Sequence, residues 1–416
     1  MSSNKASVQD PILHHEALLL LSVPSPTAYS SLKSAYAPAI TTALSSLFRT
    51  VRGTSRSVVL DIAIATRSSL RAPESQPRSR YFAQVQKLLA AFYRLLGVVS
   101  VAEGVELDGP GGVDARVFFV DCDSANGVDL QFFGPIIGFA GLAASKRSWG
   151  TVYSIASEQG DEVLQSFIRA QGQRSQPEYA GKILKLPGGT IPQSSGSAIA
   201  EPTPKTRPHY SVAVGGTFDH LHAGHKLLLA ATVLAIDPPS AQHPVQNRRM
   251  VTIGITGDEL LVNKKYAEFL ESWEQRWQGV WEFLRSIVDF TTPNQREIKV
   301  VRASNPGPNG KYVTISVEPG LDFRFVQISD PFGPTITDPD ISTLVVSGET
   351  RSGGKAVNDE REKKGWSLLE VFEVDVLELG DETEDGKGTP TENFEAKISS
   401  TEIRKRKMNL SKGSSL

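Results

Sequence analysis

Tyr210–His225 reads YSVAVGGTFDHLHAGH. Tyr210–Val214 is a short apolar run that ends in Gly215-Gly216, and Gly224–Ile236 carries apolar residues at helical spacing. A strand, a glycine turn and a helix start, in that order, open a βα unit. The rhythm continues along the chain. Val251–Thr256 reads as a second strand, and Trp273–Val288 sets Trp277, Val280, Trp281, Leu284 and Val288 on one helical face. Phe325–Ile328 and Thr343–Ser347 are short apolar strands, a polar helix spans about Gly354–Lys364, Leu369–Val376 is a further strand, and a short helix begins near Ser400. Strands alternating with helices predict an α/β fold with a doubly wound parallel sheet, whose ligands sit at the carboxyl ends of the strands.

Outward from this region the chain changes character twice. Residues 171–208 are dominated by Gly, Ser, Pro and Gln and lose apolar periodicity, so they read as a linker. Before it, residues 1–170 form a separate N-terminal α/β region: Val58–Ala65 and Val117–Val120 have strand character, Ala83–Leu96 is helical, and Pro135–Ala144 is apolar. No catalytic constellation stands out there, and His14 and His15 have no partner pattern. After the linker, residues 209–410 make the second domain, with Ala303–Tyr312 and Gly380–Glu395 expected as inserted loops. No internal repeat is visible.

Composition bounds the function. The 416 residues carry 44 basic and 46 acidic side chains, 44 − 46 = −2, which excludes a protein that holds nucleic acid or anionic membrane by bulk electrostatics. The single cysteine, Cys122, excludes an intrachain disulfide framework and a multi-cysteine zinc site. No apolar run approaches the ~20 residues of a spanning helix. A soluble, cytoplasmic protein is expected.

The chemistry concentrates in four segments. In Gly215–His225 two glycines let a ligand approach the backbone, and the helix N-terminus offers unpaired N–H groups to a phosphate. His222 and His225, three apart, share one face of the first turn and can donate to phosphate oxygens. An ordinary turn with a histidine pair and a metal site are the alternatives. No Cys, Asp or Glu at ligand spacing completes a metal site, so none is expected. Thr256–Lys265 (TGDELLVNKK) brings two lysines to the next strand end, as a solvated pair or as a mobile charge for phosphate. Val345–Arg361 (VVSGETRSGGKAVNDER) places Ser347, Gly348, Thr350 and Arg351 after a strand; Arg351 offers a fork of donors, and Arg361, a helix away, reads as structural. Ile398–Arg404 (ISSTEIR) puts Ser399, Ser400 and Thr401 before a helix, a cap by any reading. Asp330–Pro334 (DPFGP) reads as a turn, and Lys405–Lys407 as a solvated basic end.

The first segment resembles the HxGH signature of the nucleotidylyltransferases, which use a Rossmann-like domain. The longer string VGGTFDHLHAGHK (Val214–Lys226) is most similar to the eukaryotic and archaeal phosphopantetheine adenylyltransferases, and the resemblance spans about Tyr210–Met408. It implies transfer of AMP from ATP to 4′-phosphopantetheine, giving dephospho-CoA and pyrophosphate. By resemblance, Thr217 and His225 stabilise the α-phosphorus, and Lys264 and Arg351 hold phosphate oxygens. Gly215, Gly216, Phe218, His222, Ser347, Gly348, Thr350 and the Ser399–Ser400–Thr401 loop then contribute to nucleotide binding. Mg²⁺ is expected to escort ATP, held by phosphates and water. A cytidylyltransferase shares the first motif and a nicotinamide-mononucleotide adenylyltransferase the last; a degenerate domain serving as a scaffold is the non-enzymatic alternative. With no G-x-x-x-x-G-K-[ST] loop in the chain, the following step is expected to need a separate dephospho-CoA kinase.

Overall fold

The structure, a computed structural model, describes residues 15–413 except 25–26, 67–76, 108, 123–133, 146, 173–180, 190–206, 241, 292–297, 308–309 and 378–398. The expected Gly380–Glu395 loop therefore lies outside the described residues, as do His14 and the His15 side chain.

The first unit runs β1 (His15–Ser22), α1 (Tyr29–Val51), β2 (Val58–Thr66), α2 (Phe82–Glu103), β3 (Val113–Asp121), β4 (Ile136–Gly138), α3 (Phe139–Ala144), β5 (Thr151–Ile155), α4 (Glu158–Gly172) and β6 (Lys182–Leu186). Its six strands are ordered β4-β3-β2-β1-β5-β6, every pair parallel. Helices cover both faces of such a sheet, and β2 is buried along its whole length.

The second unit runs β7 (Ser211–Gly216), α5 (Ala223–Leu234), β8 (Arg249–Thr256), α6 (Trp273–Val288), β9 (Ile298–Gly307), β10 (Gly310–Val317), β11 (Leu321–Ile328), β12 (Thr343–Ser347), α7 (Arg351–Lys363), β13 (Glu370–Val374) and α8 (Ser400–Gly413). The strand order is β13-β12-β7-β8-β11-β10-β9. The first five are parallel, as expected. α6 starts where its sequence says it should, because Ser272 and Gln275 form a reciprocal capping box.

Four expectations need correction. Ala303–Tyr312 is not an inserted loop: its described residues belong to β9 and β10, which pair antiparallel at one sheet edge. The segment 171–208 is not linker throughout, since α4 continues to Gly172 and β6 pairs with β5. An edge strand needs little apolar sequence, and Ile183 is left exposed on it. The absence of a repeat in the sequence also misleads, because five parallel strands of each sheet follow the same order. Finally, the helix Arg78–Glu103 is long and apolar enough by length and composition to cross a membrane. Here it is an internal helix, packed on α1, α5 and β3. One apolar cluster runs through both units, joining Leu60, Leu89 and Val117 to Val214, Leu227 and Ile253.

Candidate active site

β7 delivers Gly215 and Gly216 to the sheet edge, and the chain then turns through Phe218 (φ 52°) and His220 (φ 45°) into α5. Left-handed backbone at two non-glycine residues is strained and persists only where surroundings enforce it. Here they do. Phe218 is fully buried, and His220 is tied to Glu271 through its backbone N–H (2.9 Å) and ring Nδ1 (3.2 Å), and to the Phe269 carbonyl through Nε2 (2.8 Å). Burial pulls the His220 pKa down, but hydrogen bonding to Glu271 and the charges of Glu271 and Asp219 outweigh it and raise it.

The turn presents His222 and His225 together. Their rings stack with centroids 3.9 Å apart, and His225 tilts against Phe218 at 5.4 Å. Both Nδ1 atoms are buried without a hydrogen-bond partner. Burial pushes His225 down to about 4, and burial, repulsion from a proton on the stacked His225 ring and the charges of Lys226 and His220 push His222 well down. Both rings are therefore neutral near pH 7, and the His225 ring also hydrogen bonds the His220 backbone. His222 is the N-cap residue of α5 and caps nothing with its side chain, which leaves the helix terminus open to an anion.

Two buried arginines, Arg404 of the fourth segment and Arg276, to which sequence reasoning gave no role, bring the motifs to one place. Arg276, on α6, donates to the carbonyls of Thr217 (2.7 Å) and Thr256 (2.7 Å) and to Asp258 Oδ1 (2.6 Å), stapling the ends of β7 and β8. Arg404, on α8, pairs with fully buried Asp219 and donates to the Lys265 carbonyl at 3.0 Å. Ser400 Oγ donates to the Asp219 carbonyl at 2.7 Å. The first, second and fourth segments thus meet around Asp219, which Phe218-Asp219 inside the glycine turn could have signalled. Ser399 Oγ accepts from the Glu402 N–H (3.3 Å), the expected cap, and Thr401 Oγ1 accepts from Arg404 (3.1 Å).

Lys264 and Lys265 are both exposed on the loop after β8. The third segment reaches the site from the other side. Ser347 and Thr350 cap each other, and Arg351, largely exposed, is clamped on Glu373 of β13, with Nε 2.6 Å from Oε2. The hydrogen bonds and charge of Glu373 raise the Arg351 pKa, so its fork is charged but already occupied. Arg361 is structural, as expected: buried, it donates to five backbone carbonyls, those of Ser367, Thr335, Asp338, Pro339 and Ile341. The basic end is not simply solvated, because Arg406 pairs with Glu106 and Lys407 lies 3.3 Å from His220 Nδ1.

Beside Gly215 and Gly216 lies a cavity of about 400 Å³. Its floor is the sheet face of Ala213, Thr252 and Leu344, and Phe332, Thr350 and Gly353 wall it. Asp330 accepts from the N–H groups of Phe332 and Gly333 at 2.7 Å each, so DPFGP is the expected turn, and it shapes the cavity rim. Where a Cβ on Gly215 would sit there is no protein atom within 4 Å. Among the described residues, Asp219, His220 and Glu271 group as metal ligands would. Arg404 and the Glu271 N–H occupy Asp219, and His220 occupies Glu271, so this is an ion-pair network and fits no Mg²⁺.

A family model described as a domain of unknown function (DUF8446) matches residues 1–192. An uncharacterized protein of Schizosaccharomyces pombe is 33% identical over 266 residues, 63% of this chain and 66% of that one. A Saccharomyces cerevisiae protein named phosphopantetheine adenylyltransferase is 36% identical over 193 residues, 46% of this chain and 47% of that one. A Pyrococcus abyssi protein of the same name is 30% identical over 172 residues, 41% of this chain and 82% of that one. The chain spans from about half to two thirds of the length of the two fungal relatives. The likeness supports a nucleotidyltransferase relation.

Proposed function

Because the chain belongs to the family of the phosphopantetheine adenylyltransferases, we propose that it transfers AMP from ATP to 4′-phosphopantetheine in coenzyme A synthesis, in the cytoplasm. A phosphate oxygen of the acceptor attacks the α-phosphorus of ATP. The bond from that phosphorus to the bridging oxygen breaks, and pyrophosphate leaves, giving dephospho-CoA. The acceptor phosphate is ionised at neutral pH, so no general base is required. Positioning and charge stabilisation carry the rate.

The observation that carries this reading is the cavity lined by Gly215-Gly216, the glycines that lead into the turn carrying the neutral histidine pair. Its walls are largely apolar, which suits a long uncharged arm, and Thr350, Ser352 and Gly353 at the start of α7 line it, which suits the phosphate at the end of that arm. Thr217 and His225 would hold the α-phosphoryl oxygens, with His222 and the Ser399–Thr401 loop on the rest of ATP. Lys264 and Arg351 would neutralise phosphate oxygens, Arg351 by exchanging Glu373 for phosphate. Mg²⁺ would arrive on the triphosphate, without a protein cage. A separate dephospho-CoA kinase would take the product.

Pyrophosphate release tests this with ATP or CTP and a panel of acceptors: 4′-phosphopantetheine, nicotinamide mononucleotide and phosphocholine. Release with ATP and 4′-phosphopantetheine alone is expected. Release only with another pair would reassign the enzyme, and none with any pair would leave a scaffold.

A further inference from the structure

The two sheets share a core of five parallel strands in one order. A row of paired residues crosses five strands in each: Lys182, Thr151, Ala17, Leu60 and Ala115 in the first, Glu370, Thr343, Val212, Val251 and Phe323 in the second. Measured from that row, the strands start together. β5, β6, β12 and β13 are each 5 residues long and begin on it. β2, β3, β8 and β11 all begin two residues before it. The β1–β5 and β7–β12 ladders both stop after the third pair, at Leu19–Tyr153 and Val214–Val345. Both sheets therefore part at the same switch point, where an open α/β sheet takes its ligand.

Carrying the row across shows how the matching places differ among the described residues of the first unit. Leu20 and Leu21 stand at the places of Gly215 and Gly216, and Ser22 at that of Thr217. No histidine occurs between Ser22 and the end of α1. The face that in the second unit floors the cavity is packed in the first by Leu18, Leu20, Val152 and Phe167. Phe290 of the second unit enters that core, 5.0 Å from Phe118 and 4.0 Å from the Arg147 guanidinium.

The first unit nonetheless grips the helix that carries the histidines. Lys226, the residue after His225, is buried, and its Nζ lies 2.7 Å from Asp114 Oδ1 on β3. Asp114 Oδ2 accepts from Arg116 Nε at 2.9 Å, and Arg116 reaches Glu282 of α6 at 3.3 Å. At the other end of α5, Arg78 donates to the carbonyls of Val233 (2.5 Å) and Leu234 (3.3 Å). We infer that residues 15–186 are a second copy of the nucleotide-binding unit, emptied of its ligand chemistry and kept as a brace for α5, with Asp114 a positioning residue for the His222–His225 turn. The turnover readout of this inference rests on the adenylyl-transfer reading; its other two readouts do not.

The test uses the full-length Asp114→Asn, Lys226→Met double variant, which removes both charges of the Lys226–Asp114 pair together, while the amide oxygen at 114 can still accept from Arg116 and Glu282 remains the counter-charge of Arg116. Its melting temperature should stay within about 5 °C of the parent. Its kcat should fall about 10²-fold, since a small misplacement of reacting groups costs that much, with the KM for ATP changed less than about threefold. The ring-proton NMR resonances of His222 and His225 should shift. Calorimetric titration of the parent with a non-hydrolysable ATP analogue should count one site per chain. Parental kcat with unmoved ring resonances in a folded double variant overturns the positioning role, and two sites per chain overturn the emptied copy. If the parent transfers no adenylyl group, the function falls, while the resonances and the site count still decide the brace.

Discussion

His225 lies ring against ring on His222, 3.9 Å between centroids, with neither Nδ1 hydrogen bonded. In the proposed transfer these two neutral imidazoles, at the start of α5, would stabilise an anion whose charge grows during reaction. His225→Ala should therefore lower kcat by about 10²–10³-fold, the usual loss for one such donor, with a far smaller change in the KM for ATP. Undiminished turnover in a folded His225→Ala protein would remove His225 from the chemistry.

The same burial makes stability fall with acid. His225 titrates near 4 when folded and His222 also well below its unfolded value near 6.5. Between those values the unfolded chain binds protons that the folded chain refuses, so stability is lost as pH falls from about 6.5 towards 4. His220 is raised and works the other way, losing its contribution as pH rises through its folded value. His225→Gln should flatten the acid limb of a plot of melting temperature against pH. An unchanged limb would mean that His225 is not the group resisting protonation.

Lys264→Ala should weaken turnover and the binding of 4′-phosphopantetheine, while leaving the binding of pantetheine, which lacks the phosphate, nearly unchanged. An ammonium on this loop acts as a point charge on phosphate. Lys265→Ala should do less, because Lys265 is engaged in the fold through its carbonyl on Arg404. The reverse order in calorimetric titrations would move the phosphate lysine by one residue.

Arg404→Ala leaves fully buried Asp219 without its guanidinium. Breaking a buried pair on one side costs about 3–5 kcal/mol, which should appear as a lower urea midpoint. Arg404→Lys should not restore it, because one ammonium cannot also reach the Lys265 carbonyl and the Thr401 hydroxyl. A midpoint equal to the parent's would show that the fourth segment is not anchored at Asp219.

The sequence made the working unit legible where local signals agreed. Trp273–Val288 was readable end to end because its apolar stripe and the Ser272–Gln275 box point to the same helix. The glycine–histidine turn was readable because Gly215, Gly216, His222 and His225 lie within one short stretch. What stayed hidden is long-range. Asp219 and Arg404 are 185 residues apart, and nothing local announces their meeting. The hairpin hid behind Asn305–Asn309, whose prolines and glycine read as loop. The repeat hid because buried parallel strands require only apolar residues, so Leu20-Leu21 and Gly215-Gly216 share a place without sharing a sequence.

The sequence also predicts that a fragment starting near Pro204 keeps adenylyl transfer. The structure argues otherwise: the apolar cluster is common to both units, and Phe82 stacks on Phe372 at 4.6 Å. Such a fragment should aggregate. A soluble, fully active one would contradict the shared core.

The most direct measurement follows the α-phosphorus. Full-length protein is given ATP labelled at the α-phosphate together with 4′-phosphopantetheine, and the products are separated. The label should pass to dephospho-CoA, unlabelled pyrophosphate should form in equal amount, and His225→Ala should slow both together. Label that stays on AMP or ATP while 4′-phosphopantetheine is unchanged would contradict adenylyl transfer at this site.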